Sequence, residues 1–410
     1  MHSLTPSPLR QTRLGIRSPV TKCNFSYTQY SLVLQGMILI LITVLFLTGY
    51  GALIIYYWLS WKKIKPFTAN ASIGQTTLSV IIPARNEANN IAALLHGLMA
   101  QTYPAHLLEI IVVNDHSTDN TAAIVQNNFP QVTLLSLTND GINAYKKKAI
   151  ETGIAHATGK LIVCTDADCL VQPNWLQTIE QCYRQTNAAF IVAPVVFNSN
   201  GSLVQVFQQM DFIVLQGITG ASVTQGVHAM CNGANLAYER SVFYEVNGFA
   251  GIDNIASGDD MLLMHKIAQL HPQRISYVPA PEAIVSTAAM PDWKSFFNQR
   301  IRWASKAKYY EDKKIFGVLV WVYITNCLFL VWPLLALISG NYFYLIGWLF
   351  IWVAKTLVEL PFYAAVARFF KQQHTVKYFF FFQPLHVLYT VLAGFMGAFG
   401  KYEWKGRQVK

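Results

Sequence analysis

The strongest constraint on the fold is the run from Leu32 to Leu59, which holds no charged residue. A helix crosses a bilayer with about 20 apolar residues, so this run reads as a membrane anchor. It is too long for the apolar core of a signal peptide, and no clear small-residue cleavage site accompanies it. Trp58, Trp61 and the cations Lys62, Lys63 and Lys65 suit the polar interface beyond it. Three more apolar spans follow late in the chain, at Phe316–Ile338, Tyr342–Val366 and Tyr378–Phe399. Charged residues make up 13% of the 410 positions, about half the roughly 25% of soluble domains. The chain is therefore read as a multi-pass membrane protein.

The net charge of +10 belongs to the same picture. The cations flank apolar spans, as at Lys62–Lys65 and Lys313–Lys314, and form no long basic stripe in the centre. That pattern fits membrane lipids rather than nucleic acid, and it puts the central domain on the cytosolic side of the cell (inner) membrane. Three full crossings after it would leave the basic tail at 401–410 outside, against the positive-inside tendency. Pro384 and His386 make the last span a candidate re-entrant segment. Lys355 and Glu359 lie one helical turn apart and are expected to pair toward other helices rather than lipid. Residues 1–30, with Pro6, Pro8 and Pro19, read as a disordered tail, and Met37 is a candidate start. The six cysteines form no CxxC pair, so they read as reduced thiols.

Between the anchor and the later spans the pattern changes. Candidate strands at Leu78–Pro83, Glu109–Asn114, Val132–Leu137, Leu161–Thr165 and Phe190–Val196 alternate with candidate helices at Asn89–Ala100, Thr118–Gln126 and Tyr145–Ala157. Continuous apolar strands with helical crossovers predict a parallel sheet covered on both faces. Ligands bind beyond the carboxyl ends of such strands, where Pro83, Arg85, Glu87, Asp115 and Asp166 fall. The first strand leads into Pro83-Ala84-Arg85-Asn86-Glu87 with no glycine-rich turn, against a dinucleotide site. The segment Gly153 to Lys160 imitates a P-loop but has one residue too many and precedes a strand.

Asp115 can accept hydrogen bonds from a nucleobase or ribose, and Ser117, Thr118 or Asp119 can cap the helix that follows. Asp166-Ala167-Asp168 places two carboxylates at a strand end, where they can share a divalent ion with a nucleotide diphosphate. Such an ion neutralises charge on a departing diphosphate. Among Lys146, Lys147 and Lys148, Lys148 is the residue expected to reach a donor; a lysine run is otherwise a solvated face. Asp259-Asp260 opens an amphipathic helix, as a base for an acceptor hydroxyl or as charge on the helix dipole. Gln299-Arg300-Ile301-Arg302-Trp303 sits in a basic-aromatic segment suited to a diphosphate, a sugar face and the membrane interface.

With these residues in this order, the chain resembles the membrane-bound family 2 glycosyltransferases, relatives of cellulose, hyaluronan and poly-N-acetylglucosamine synthases, over about Leu78 to Lys308. The resemblance implies a GT-A domain, a Rossmann-like nucleotide-diphospho-sugar transferase fold, flanked by transmembrane helices. It matches Asp115 to a nucleotide contact, and Asp166 and Asp168 to the metal motif, with Asp168 the direct ligand of Mg²⁺ or Mn²⁺. It matches Asp260 to the general base, where Asp259 replaces a more usual glutamate. It matches Gln299, Arg300, Arg302 and Trp303 to the Q-x-x-R-W signature at the diphosphate and acceptor.

The expected organisation follows: 31–61 a transmembrane helix, 62–290 a cytosolic GT-A catalytic domain, 291–314 an amphipathic interfacial segment, 315–400 transmembrane segments and 401–410 a basic tail. The expected function is inverting transfer from a nucleotide-diphosphate sugar, a UDP-sugar, to a polysaccharide or lipid-linked acceptor. A single addition to a polyprenyl phosphate or glycolipid is the alternative. A non-catalytic nucleotide-sugar-binding membrane protein is the reading from another class.

Overall fold

The computed structural model describes residues 20–69, 74–138, 141, 144–227, 230–255, 257–306, 313–399, 402–404 and 407–409, with side chains from 34 to 398. Residues 1–48 separate as one unit and 49–410 as another. Helix α1 runs Val20–Lys63, so helix begins inside the stretch expected to be a disordered tail. Pro19 is the last proline before it, and no proline follows until Pro66. Residues 1–19 of that tail lie outside the described residues.

The next elements are β1 (Leu78–Ala84), α2 (Ile91–Met99), β2 (Leu108–Asn114), α3 (Thr121–Asn128), β3 (Thr133–Ser136), α4 (Tyr145–His156) and β4 (Leu161–Cys164). The short strand β5 (Cys169–Leu170) and helix α5 (Trp175–Thr186) precede β6 (Phe190–Val192), β7 (Val195–Asn198) and α6 (Leu203–Thr224). Then come β8 (Leu236–Glu239), α7 (Arg240–Glu245), α8 (Met261–Leu270), β9 (Ile275–Tyr277), β10 (Val285–Ala288) and α9 (Trp293–Ala304). Four of the five expected strands form where the apolar runs lie. The fifth is split at Pro194, which follows β6 and lacks the N–H a continuing strand would need.

The main sheet has the order β3-β2-β1-β4-β8-β6-β9. β1 pairs parallel with β2 and β4, and β2 with β3. β8, however, is antiparallel to both β4 and β6. The sheet is therefore mixed, which corrects the all-parallel expectation. β8 is reached from β6 through β7 and α6, and enters from the opposite end. Both faces are covered. Along β1, Leu78, Val80, Ile82 and Ala84 face one core with α2 and α5, while Ile81 faces the other with α4, α7 and α8. A second sheet, β5-β10-β7, lies at the end of the domain.

The last elements are α10 (Lys313–Ser339), α11 (Tyr342–Phe369), α12 (Phe379–Phe399) and a short hairpin of β11 (Tyr402–Trp404) and β12 (Arg407–Val409). Among the described residues four helices are long and apolar enough to cross a membrane: Leu34–Lys63, α10, α11 and Gln373–Ala398. α12 runs unbroken through Pro384. Buried Lys355 pairs with Glu359 and donates to Gln383 Oε1 at 3.0 Å, and Tyr50 also donates to Glu359. This charge pair is satisfied among helices, as a membrane interior would require. Helix α6 joins the two regions: its Met210, Ile213 and Ala221 share a core with Tyr50, Tyr57, Phe362 and Val366.

Candidate active site

Above the carboxyl ends of β1, β2 and β4 lies a cavity of about 210 Å³. Its walls include Pro83, Arg85, Glu87, Asp115, Asp166, Asp168, Asp259, Asp260, Gln299, Arg302 and Trp303. Positions more than two hundred residues apart in sequence thus meet around one space. Lys146, Asn232, Gly233, Ser257 and Lys306, which the sequence reading passed over, complete it.

The strand ends build one wall. Arg85 Nη1 donates to the carbonyls of Asp115 (2.9 Å) and His116 (3.2 Å), tying the loop after β1 to the loop after β2. Asp115 is 3% exposed, with His116 Nδ1 3.0 Å from its Oδ1. Glu87 holds the start of α2 through Asn90 (2.7 Å). Asp119, one of three candidate caps, accepts from the Thr121 N–H at 3.0 Å and from the Ala88 N–H at 3.0 Å.

The second wall joins the two acidic motifs. Lys146 Nζ lies 2.7 Å from Asp166 Oδ1 and 3.1 Å from Asp259 Oδ2. Burial opposes both charges. Asp166 and then Asp259 nevertheless hold the Lys146 ammonium well above the usual lysine range. Lys146, then Lys306, holds the buried Asp259 below the usual carboxylate range. Asp260 caps α8: Oδ1 accepts from the Met261 N–H at 2.7 Å and Oδ2 from the Gly233 N–H at 3.1 Å. Lys306 Nζ stands 3.5 Å from Asp260 Oδ1. Gly233 leaves room for the two charged groups. A Cβ on it would lie 2.9 Å from Asp259 Oδ2 and 3.0 Å from Lys146 Nζ.

Two expected residues are not brought to the cavity. Lys148 pairs with Glu151 at 2.8 Å on the outer face of α4. Lys146 shares a face with Ala149, Ile150 and Gly153, which pack on the sheet, so its side chain is carried to the strand ends. Arg300 is 4% exposed and turned away, with Nη2 2.7 Å and Nε 2.9 Å from Asp211 Oδ2. Helix α9 has two working faces. Gln299, Arg302 and Trp303, with Lys306 just past its end, follow helical spacing along the cavity, while Phe296 and Arg300 are buried on the neighbouring stripe. The Arg300 guanidinium stacks 4.2 Å from the Trp303 ring and so supports the cavity wall from behind.

Asp166 and Asp168 offer hard oxygen donors of the kind Mg²⁺ and Mn²⁺ prefer. Among the described residues no three His, Cys, Asp or Glu side chains converge into a full ligand set. The donor set therefore fits an ion that takes its remaining ligands from a diphosphate and water, with the Lys146 ammonium already beside Asp166.

Residues 79–246 match the family model described as "Glycosyl transferase family 2", so the chain carries a family 2 glycosyltransferase domain. It is 29% identical over 240 residues to the "Probable glycosyltransferase YdaM" of Bacillus subtilis (strain 168), covering 57% of this chain and 55% of that one. It is 36% identical over 101 residues to the "4,4'-diaponeurosporenoate glycosyltransferase" of Staphylococcus aureus (strain N315), 25% of this chain and 26% of that one. The chain thus spans a quarter to about half of the length of the curated relatives it matches. Among solved structures it is similar to the "Mannosyltransferase PcManGT from Pyrobaculum calidifontis in complex with GDP-Man and Mn2+". That likeness has a TM-score of 0.53 and 19% identity, and covers 87% of this chain and 98% of the other. It places the central domain in the GT-A, Rossmann-like class.

Proposed function

We propose that this protein is an inverting glycosyltransferase that moves a sugar from a nucleotide diphosphate to a membrane-associated acceptor. The observation that carries the reading is the single cavity lined by Asp115, Asp166, Asp168, Asp259, Asp260, Arg302 and Trp303 within a family 2 domain. Asp115 and Arg85 would hold the nucleoside end of the donor. Asp166 and Asp168 would hold Mg²⁺ or Mn²⁺, which when bound would neutralise charge on the diphosphate. Lys146 and Arg302 supply fixed positive charge to the same leaving group, with no reorganisation at the moment of transfer. The mannosyltransferase neighbour is a complex with GDP-Man and Mn²⁺; for this chain a UDP-sugar is the proposed donor.

Asp260 is the proposed base. Its carboxylate is aimed by the Gly233 and Met261 N–H groups, and Lys306 Nζ stands 3.5 Å from it. The acceptor hydroxyl loses its proton to Asp260 as its oxygen bonds to the anomeric carbon. The bond from that carbon to the diphosphate oxygen breaks, and the nucleoside diphosphate leaves with the electron pair.

The acceptor is a polysaccharide end or a lipid. The candidate membrane helices among the described residues, and the relative named "4,4'-diaponeurosporenoate glycosyltransferase", support the single-addition lipid reading. The proposed orientation keeps the catalytic domain cytosolic. A screen of nucleotide sugars with the protein in native membranes, read by product mass, tests the whole. Sugar transfer is expected, with one added residue for a lipid acceptor and a ladder for a polymer. Asp260→Asn keeps the helix cap and should lower turnover by roughly 10²- to 10⁴-fold. Wild-type turnover in that variant would refute the assignment of the base.

A further inference from the structure

Next to Lys146, helix α4 carries a lysine that the proposed chemistry does not use. Lys147 is 2% exposed. Its Nζ donates to the Ile252 carbonyl at 2.9 Å, the Ile255 carbonyl at 2.5 Å and the Ser257 carbonyl at 2.8 Å. An ammonium has three N–H donors and no acceptor, so all three are used on backbone. The three carbonyls belong to the segment that leads into Asp259-Asp260. Gly258, with φ of +84°, turns the chain from that segment into the acidic pair, a conformation that favours glycine.

We propose that Lys147 is a positioning residue for the acidic pair: its ammonium acts as a built-in cation on which the approach to Asp259 and Asp260 is folded. The inference rests on the proposed role of Asp260 as base. Three carbonyl oxygens within 2.9 Å of one point make the kind of concave, electronegative site that otherwise takes a free cation. Here the covalent tether fixes which cation occupies it and where it stands. Nothing else on α4 does this. Lys146 points to Asp166 and Asp259, and Lys148 to Glu151. Two adjacent lysines thus hold the acidic pair in different ways, Lys146 by its side-chain charge and Lys147 through backbone. A buried lysine costs solvation. Burial pushes Lys147 down to about 8, against the pull of Asp259 and Asp260, and the group is still mostly charged at neutral pH. Such a residue is not needed to fill the core, where methionine would pack with less penalty.

The test uses the full-length protein in detergent or membranes. Lys147→Ala removes the ammonium and leaves room for a small amine. Amide hydrogen exchange around Ile252, Ile255 and Ser257 should quicken by at least tenfold, and propylammonium should slow it again. Tetramethylammonium, which has no N–H, should not. Turnover should fall by about 10²-fold, the scale of a misplacement of about 1 Å, with the donor KM moved less than threefold and with partial rescue by propylammonium. Lys147→Met, which keeps the volume, guards against a variant that fails to fold; it should show the same split between kcat and KM. Unchanged exchange at the three carbonyl residues, or wild-type kcat in Lys147→Met, would overturn the proposal. If no sugar transfer is found even in the wild type, the exchange and amine arms still decide the positioning role, so the two readings fail separately.

Discussion

Replacing Arg300 by methionine is the sharpest test of how the central domain is built onto the long apolar helices. The guanidinium makes two contacts to Asp211 Oδ2, at 2.7 and 2.9 Å, with both side chains almost fully buried. It also stacks 4.7 Å from Phe296 and 4.2 Å from Trp303. Asp211 further accepts from Tyr389, and His386 Nε2 is 3.4 Å from its Oδ1. Removing one partner of a buried pair strands the other charge, at about 3–5 kcal/mol. Lost stacking on the guanidinium is partly made good by methionine sulfur, so about 4 kcal/mol is expected. At about 2–4 °C per kcal/mol for a domain of this size, Tm in detergent should fall by roughly 8–16 °C. Arg300→Met with Asp211→Leu replaces the pair by apolar volume and should recover more than half of that loss.

Acid gives an independent check on the same pair. Burial raises the Asp211 carboxyl, but the Arg300 guanidinium, and then His386, outweigh it and bring the group to about 2. The folded value lies below the ordinary value of about 3.9, so the contribution is complete above about pH 5. It is lost as pH falls toward 2, by about 2–3 kcal/mol in all. In the Arg300→Met protein Asp211 gives up its charge readily. The Tm gap between wild type and variant should therefore narrow between pH 6 and pH 3. An unshifted Tm in Arg300→Met, or strictly additive losses in the double variant, would refute the reasoning.

Lys146→Met leaves Asp166 and Asp259 facing each other without their shared cation, and should raise the donor KM at least tenfold. Lys148→Met should change it less than twofold, and equal effects of the two in a steady-state titration of donor would sink the assignment. Gly233→Ala puts a methyl group 2.9 Å from Asp259 Oδ2 and 3.0 Å from Lys146 Nζ. Turnover should drop by about 10²-fold while circular dichroism stays native; unaltered kcat would show that the acids tolerate displacement.

What the sequence made legible follows from where each signal is written. β1 to β4 are apolar runs bounded by turns, and their strand-end residues fall beside one another once the parallel register is set. β8 is a four-residue strand, Leu-Ala-Tyr-Glu, whose direction depends on the path through α6, and short runs carry no mark of direction. Gly233 and Lys147 act on backbone N–H and carbonyl groups that every residue has, so no side-chain pattern announces them. Lys146 is different. Its i+3, i+4 and i+7 neighbours are Ala149, Ile150 and Gly153, whereas Lys148 has Glu151 and Thr152 at i+3 and i+4. The period of α4 thus already separated the lysine carried to the sheet from the one left in solvent. The same arithmetic sorts α9 and the residues just beyond it. Gln299, Arg302 and Lys306 share one stripe, Phe296 and Arg300 share the next, and Trp303, three positions from Arg300 and four from Gln299, stands at the seam between them. The two arginines of Gln-Arg-Ile-Arg-Trp are two positions apart and therefore cannot serve one site from one helix face. One lines the cavity, and the other binds α9 to Asp211 on α6 and, through it, to Tyr389 on α12. A motif read as a single clamp is, by helical geometry, a cavity wall and the ion pair that ties that wall to α6 and α12.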